Sequence, residues 1–177
     1  MQGSSYPPDC PVAREDLRYL QVLHRNAEGQ VLVGEMIAGR QVADELLEIL
    51  RELFDAGYPI ERMRLVELYD GDDEASMQAN NSSCFNYRSI STTQLPSKHG
   101  RGEAVDINPL YNPSIRTRAD GSRLIEPATG TPYLDRSGDF PYKIVRGDPC
   151  WQAFRRHGFV WGGGWASRKD YQHFEKP

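Results

Sequence analysis

Between positions 40 and 56, Val42, Leu46, Ile49, Leu50, Leu53 and Phe54 recur at three- and four-residue intervals, while Asp44, Glu45, Glu48, Arg51 and Glu52 fill most of the gaps. That period puts the apolar set on one stripe and the charges on a solvated face, which predicts an amphipathic helix. Gly57 and Pro59 end it. Upstream, positions 17–24 and 31–37 are rich in apolar and β-branched residues and flank Asn26-Ala27-Glu28-Gly29, which is turn chemistry. A β-hairpin is expected there, with His24 at its inner end as a partly exposed strand residue. Positions 63–69 read as a strand, so the order is hairpin, helix, strand.

Asp70-Gly71-Asp72-Asp73-Glu74 is acidic but lacks the spacing and terminal Glu of a calcium loop, and reads as a turn into a short helix. Residues 77–89 hold more amides and hydroxyls than a strand that merely packs. Positions 91–96 read as a loop, and 104–107 as a short central strand around Asp106. From 108 to 149 turn signals dominate, and Tyr111, Tyr133 and Tyr142 are either cleft-lining residues or packing anchors.

Asp148 is placed to cap a helix through Trp151, Phe154 and Arg155, which Gly158 stops and His157 closes at its C-terminus. Positions 159–161 read as a strand, Gly162-Gly163-Gly164-Trp165 as a tight turn, and a last strand carries Asp170 and His173. On one extended strand those two side chains face opposite sides. A bulge, or a strand that begins only after Asp170, would bring them to one site.

The mix of elements is α+β, and 177 residues suit one domain, taken as 12–177 behind an extended, Pro-rich arm at 1–11. With 26% charged and 38% hydrophobic residues and no apolar run of about 20, a soluble chain without a transmembrane segment is expected. A net charge of -4 argues against a nucleic-acid partner. Cys10, Cys84 and Cys150 show no Cys-x-x-Cys spacing; at most one disulfide can form, its pair is unreadable, and ordinary apolar roles are favoured. Residues 1–8 have neither a basic nor an apolar leader region. Localisation is therefore open: wall-associated or extracytoplasmic if a leader was removed, cytoplasmic otherwise.

The chemistry concentrates in two stretches. His99 and Asp106 stand seven positions apart, with Gly100, Gly102 and Ala104 between them to let backbones approach, and the C-terminus adds His173 and, three residues before it, Asp170. Two imidazoles and a carboxylate make a three-ligand set for a divalent metal, and catalytic zinc sites keep a fourth position open. Asp170 is then left as a general base, which describes a hydrolase.

The pattern Ser97-x-His99-x-x-Gly102-x-Ala104-x-Asp106, followed by Trp165-x-x-x-x-Asp170-x-x-His173-Phe174-Glu175, resembles the zinc peptidases that cleave peptidoglycan stem peptides. These include D-alanyl-D-alanine carboxypeptidases and dipeptidases, and L-alanyl-D-glutamate endopeptidases. The resemblance implies one Zn2+ on His99, Asp106 and His173, with Asp170 catalytic. It implies a second catalytic residue in Arg88, within Tyr87-Arg88-Ser89, to stabilise an oxyanion or hold a substrate carboxylate.

Ser97, Asn86 and Trp165 are implied substrate contacts, although the Ser97 hydroxyl can equally satisfy a turn, and Glu175 is implied to hold a ligand histidine. The expected architecture is a central, mainly antiparallel sheet with helices on one face and the zinc cleft on the other. Peptidoglycan or its stem peptides are the expected substrate, with carboxypeptidase action slightly favoured over endopeptidase action. The alternative is a non-catalytic zinc-bearing binding module, as in the hedgehog signalling domain of related fold; the retained Asp170 and the context of Arg88 argue for catalysis. Oligomeric state is unassigned.

Overall fold

The computed structural model describes residues 3–87 and 96–177. Strands β1 (Leu17–Arg25) and β2 (Val31–Gly39) pair antiparallel from Leu17 opposite Gly39 to Arg25 opposite Val31. The Asn26 side chain closes the turn by accepting from the Gln30 N–H at 2.9 Å, as its short acceptor favours. His24 is buried, not partly exposed, and its Nδ1 lies 2.8 Å from the Ile60 carbonyl. The chain at Pro59 bridges to Arg25, which brings the Ile60 carbonyl within reach of the ring. Among the described residues His24 belongs to no cluster that could hold a metal.

Helix α1 (Arg40–Asp55) buries Val42, Leu46, Ile49, Leu50 and Leu53, the stripe that the sequence period selects. It ends where Tyr58 N–H donates to Leu53 O at 2.9 Å and Gly57 N–H to Phe54 O at 3.1 Å. This crossing pair needs a left-handed residue between the bonds, and Gly57 supplies it at φ 66.

The strand expected over 63–69 does not form: Val66–Tyr69 is a 3-10 turn. Arg64 instead exchanges two hydrogen bonds with the Asn81 side chain, N–H to Oδ1 at 2.7 Å and Nδ2 to the carbonyl at 3.0 Å. A side-chain amide has replaced a neighbouring strand there. That accounts for part of the amide density beyond Met77, where Asn80, Asn81, Ser82 and Asn86 are all buried. Helix α2 (Asp73–Gln78) starts at Asp72, whose carboxylate accepts from the Ala75 N–H at 3.1 Å.

The expected central sheet is divided. Strands β3 (Ala104–Asp106), β6 (Val160–Trp161) and β8 (His173–Glu175) form one antiparallel sheet in the order β3-β8-β6. Strands β4 (Ser114–Thr117), β5 (Arg123–Glu126) and β7 (Lys169–Asp170) form another in the order β5-β4-β7. With the hairpin, this makes three small antiparallel sheets among the described residues. Strands of two to four residues cannot span a larger ladder.

Helix α3 (Pro149–Arg156) is capped by Asp148, which accepts from the Trp151 N–H at 2.7 Å, and His157 follows its last turn. Its Phe154 stacks on Phe174 at 4.1 Å and meets Phe159 edge-on at 5.4 Å. Val105 and Phe174 therefore join one core with α1 and α3, while Asp106, His173 and Glu175 alternate to the opposite side. Helices cover one face of the site sheet and a cleft opens on the other.

The described part of the arm is docked: the Glu67 carboxylate accepts from Ser4 N, Ser5 N and Ser5 Oγ. Tyr111 packs between Tyr133 and Tyr142 at 4.5 and 5.1 Å, and Arg136 donates to the carbonyls of Tyr111, Tyr133 and Ile144. None of these tyrosines lines the cleft. They are packing anchors. The three cysteines are free thiols, with Cys84 and Cys150 buried. Among the described residues no helix is long and apolar enough to cross a membrane.

Candidate metal centre

Three short elements meet at the floor of a cleft of about 470 Å³ between the two site-forming sheets. Asp106 on β3 and His173 on β8 are direct cross-strand partners, so their side chains leave the ladder on the same face. His99 arrives on a 3-10 turn, His99–Arg101. Its carbonyl accepts from Asn86 N–H, and the following Gly102 carbonyl accepts from Gly39 N–H at 2.9 Å. Gly102 has φ 68, and a Cβ there would stand 2.3 Å from the Gly39 nitrogen. Only glycine fits, which gives the spacing between His99 and Asp106 its physical reason.

His99 Nε2 lies 3.1 Å from His173 Nδ1 and 3.3 Å from Asp106 Oδ2, and His173 Nδ1 lies 3.1 Å from Asp106 Oδ1. Donors about 2.0–2.1 Å from a tetrahedral zinc stand about 3.3 Å apart, so these separations suit one ion. The outer ring nitrogens fix the tautomers. His99 Nδ1 meets the Cys84 carbonyl at 2.8 Å and His173 Nε2 meets the Glu175 carboxylate at 3.0 Å, and both partners can only accept. The outer nitrogens therefore carry protons, and in the neutral rings the inner lone pairs face each other and a carboxylate. Three buried electron-pair donors converge there, which a cation relieves.

Without a metal the protein answers with a proton. Burial opposes a charged His173, yet hydrogen bonds to Asp106 and Glu175 outweigh it and raise its pKa to about 10. Burial likewise opposes a charged Asp106, but His99 and His173 hold its carboxyl far below the usual range. Both shifts describe a positive charge wanted among these side chains.

Asp170 belongs to β7, not to the strand of His173, because the last stretch divides: β7 pairs with β4, and β8 begins only at His173. That break turns the carboxylate into the same cleft. Asp170 Oδ1 is enclosed without a hydrogen-bond partner among the described residues. Burial raises its pKa, His173 draws it back and Asp106 adds to it, leaving it at about 6. A carboxyl with a raised pKa at the edge of a three-donor set, ionised but only weakly acidic near neutral pH, is suited to taking and returning a proton.

Of the expected substrate contacts, Ser97 lines the cleft, but its Oγ accepts from the Gly100 N–H at 2.9 Å and so caps the turn that carries His99. Asn86 does not line the cleft. It is buried, and its Nδ2 donates to the Gly71 carbonyl at 3.2 Å, which ties down the entry to α2. Trp165 does not line it either: its ring lies 5.3 Å from that of His173 and backs the ligand. Arg88 and the loop at 91–95 lie outside the described residues. The sequence reading missed the Cys84 carbonyl, a backbone atom with no residue signature. It also missed Met77, Arg116, Glu126, Arg168 and Gln172 on the cleft wall, which only the fold collects.

No curated protein and no solved structure matches this chain. A family model described as D-alanyl-D-alanine carboxypeptidase matches residues 91–176. That span holds His99, Asp106, Asp170, His173 and Glu175, so every side chain of the metal centre falls inside it. Over residues 91–176, which carry the intact three-donor set, the chain is therefore similar to the D-alanyl-D-alanine carboxypeptidase family of peptidases.

Proposed function

We propose that the chain is a zinc-dependent peptidase that hydrolyses peptide bonds of peptidoglycan stem peptides, with removal of a terminal D-alanine as its preferred reaction. The observation that carries the reading is the convergence of His99 Nε2, His173 Nδ1 and an Asp106 carboxylate oxygen beside the unpartnered Asp170 Oδ1. One zinc ion bound there supplies Lewis acidity, polarising a carbonyl oxygen and acidifying water.

The chain's own residues do the rest. Asp170 accepts the proton of the attacking water and returns it to the leaving amine, which a carboxyl with a pKa of about 6 can do in both directions. Glu175 and the Cys84 carbonyl keep both imidazoles aimed at one point. Arg88, from its sequence context, stabilises the developing oxyanion or holds a substrate carboxylate.

The test is digestion of purified wall peptides by protein as isolated, after chelation, and after zinc is restored, with products identified by mass spectrometry. Zinc-restored release of D-alanine supports the reading. A new cut after L-alanine keeps the peptidase and changes the bond. No cleavage by a protein holding stoichiometric zinc overturns it in favour of a binding module.

A further inference from the structure

The cleft extends past the metal centre along the second sheet, and its wall there is cationic. Ser114 stands opposite Asp170 and Ile115 opposite Lys169, where the β4–β7 ladder ends, and Arg116 and Arg168 are the next residues of the two segments. Alternation puts these two arginines on the face shared by Ser114 and Asp170. Both line the cleft.

Two guanidiniums side by side at the end of an antiparallel pair repel, and such like-charge neighbours are ordinarily relieved by an acid. Neither Arg116 nor Arg168 forms an ion pair or a side-chain hydrogen bond with any described residue. The other cations of the wall are committed: Lys98 to the Lys176 carbonyl at 2.6 Å and Glu103 at 3.4 Å, and Lys169 to the Trp165 carbonyl at 2.6 Å. Glu126 and Asp170 both stand opposite Ser114, on either side of it, and neither forms an ion pair with either arginine.

Arg168 is also preset. Its guanidinium lies over the Trp165 ring at 4.3 Å, and that ring rests against His173. Stacking of this kind holds the planar fork in place while leaving its N–H edge free for an anion. Its charge reaches the metal centre, where it draws down the Asp170 and Glu175 carboxyls.

We propose that Arg116 and Arg168 form a carboxylate-binding subsite of the cleft, which selects peptides carrying a carboxylate on the β4–β7 side of the bond to be cut. Two residues along a strand separate this pair from Asp170, a distance of about 7 Å. A peptide bound in extended form therefore brings to the subsite a group about two residues from the reacting carbonyl. That group is either an acidic side chain or, where the bond cut lies two residues from the end, the peptide's own C-terminus. The inference rests on the peptidase reading of the metal centre.

The experiment uses zinc-loaded full-length chain and two matched peptide series. One series exchanges Glu for Gln within two residues of the scissile bond, and the other exchanges a C-terminal acid for the amide. The readouts are the carboxylate-to-carboxamide ratio in kcat/KM, and the same ratio in binding to zinc-depleted protein, which does not turn over. A charge-assisted, bidentate contact is expected to give a preference of about 10- to 100-fold in one series, and Arg116→Gln/Arg168→Gln to bring that ratio close to one.

The series that responds names the source of the carboxylate. A wild-type ratio near one in both series, or a preference that persists in the double variant, overturns the subsite. If no peptide is cleaved, the peptidase reading fails while the binding ratio still decides the subsite. Arg116→Lys/Arg168→Lys serves as a second variant: retention of charge without the planar fork should recover part of the preference, which a merely structural role would not show.

Discussion

His173 Nδ1 lies 3.1 Å from Asp106 Oδ1 because the two residues are direct partners in the β3–β8 ladder. The neighbouring pair, Val105 opposite Phe174, points into the core. A one-residue slip would exchange the metal face for the apolar face, so the hydrophobic core sets the register of the ligands.

The ligand and base roles separate by substitution. His173→Ala is expected to abolish metal binding and activity together. Asp170→Asn should keep a full equivalent of metal and lose about 10²- to 10⁴-fold in rate, the usual worth of a positioned base. Metal content and hydrolysis rate, measured on the same preparations, check both. An Asp170→Asn protein of undiminished rate would remove Asp170 from the mechanism.

Glu175→Gln leaves a neutral acceptor for His173 Nε2 in place of the carboxylate now at 3.0 Å. The ring keeps its direction but loses basicity. Metal affinity should fall by about 10- to 100-fold, read by competition with a chromogenic chelator. Unaltered affinity would reduce Glu175 to a charge at a strand end.

The metal-free protein should carry its own pH signature. The folded His173 pKa of about 10 lies above the ordinary 6.5, so its charge stabilises the fold fully below pH 6.5, and that stabilisation is lost as pH rises through 10. The melting temperature of chelated protein should therefore fall between pH 6.5 and 10. Zinc binding at pH 7 should release about one proton, because the ligand nitrogen must be bare; calorimetry in buffers of different ionisation enthalpy measures it. A metal-free stability flat across that window would contradict the cationic centre.

Gly102→Ala meets two obstacles, a left-handed backbone and a Cβ 2.3 Å from the Gly39 nitrogen. Gly121→Ala meets only the first, since its φ is 82 and nothing lies within 4 Å. The backbone strain is worth about 1–3 kcal/mol in each. Denaturant unfolding should show Gly102→Ala to be the more destabilised, with metal affinity reduced as well, since the turn carries His99. Equal losses would mean that the close approach to β2 does not matter.

Legibility followed the range of the interaction that sets each feature. Helix α1 was readable because its buried stripe and its Gly57 stop lie within one stretch of chain. Residues 63–69 misled because their apolar pattern resembles a strand while their hydrogen bonds go to the Asn81 side chain. His24 looked half-exposed because the chain at Pro59 and Ile60 that meets it is remote in sequence. Asn86 and Trp165 carried the chemistry of substrate contacts, but the fold spends one on a turn and sets the other behind a ligand.

By itself the sequence determined the α+β character, the hairpin, the long helix and the three side chains that converge as candidate donors. Residue type limits which atoms can ligate a cation, and local periodicity limits which segments can be helical. Tertiary structure alone decided that the last stretch breaks into two strands of different sheets, which turns Asp170 toward His173. It also decided that a cysteine carbonyl orients His99 and that Arg116 and Arg168 line one cleft. These relations depend on pairing between segments far apart in the chain, and no local pattern encodes which of the possible partners packs best.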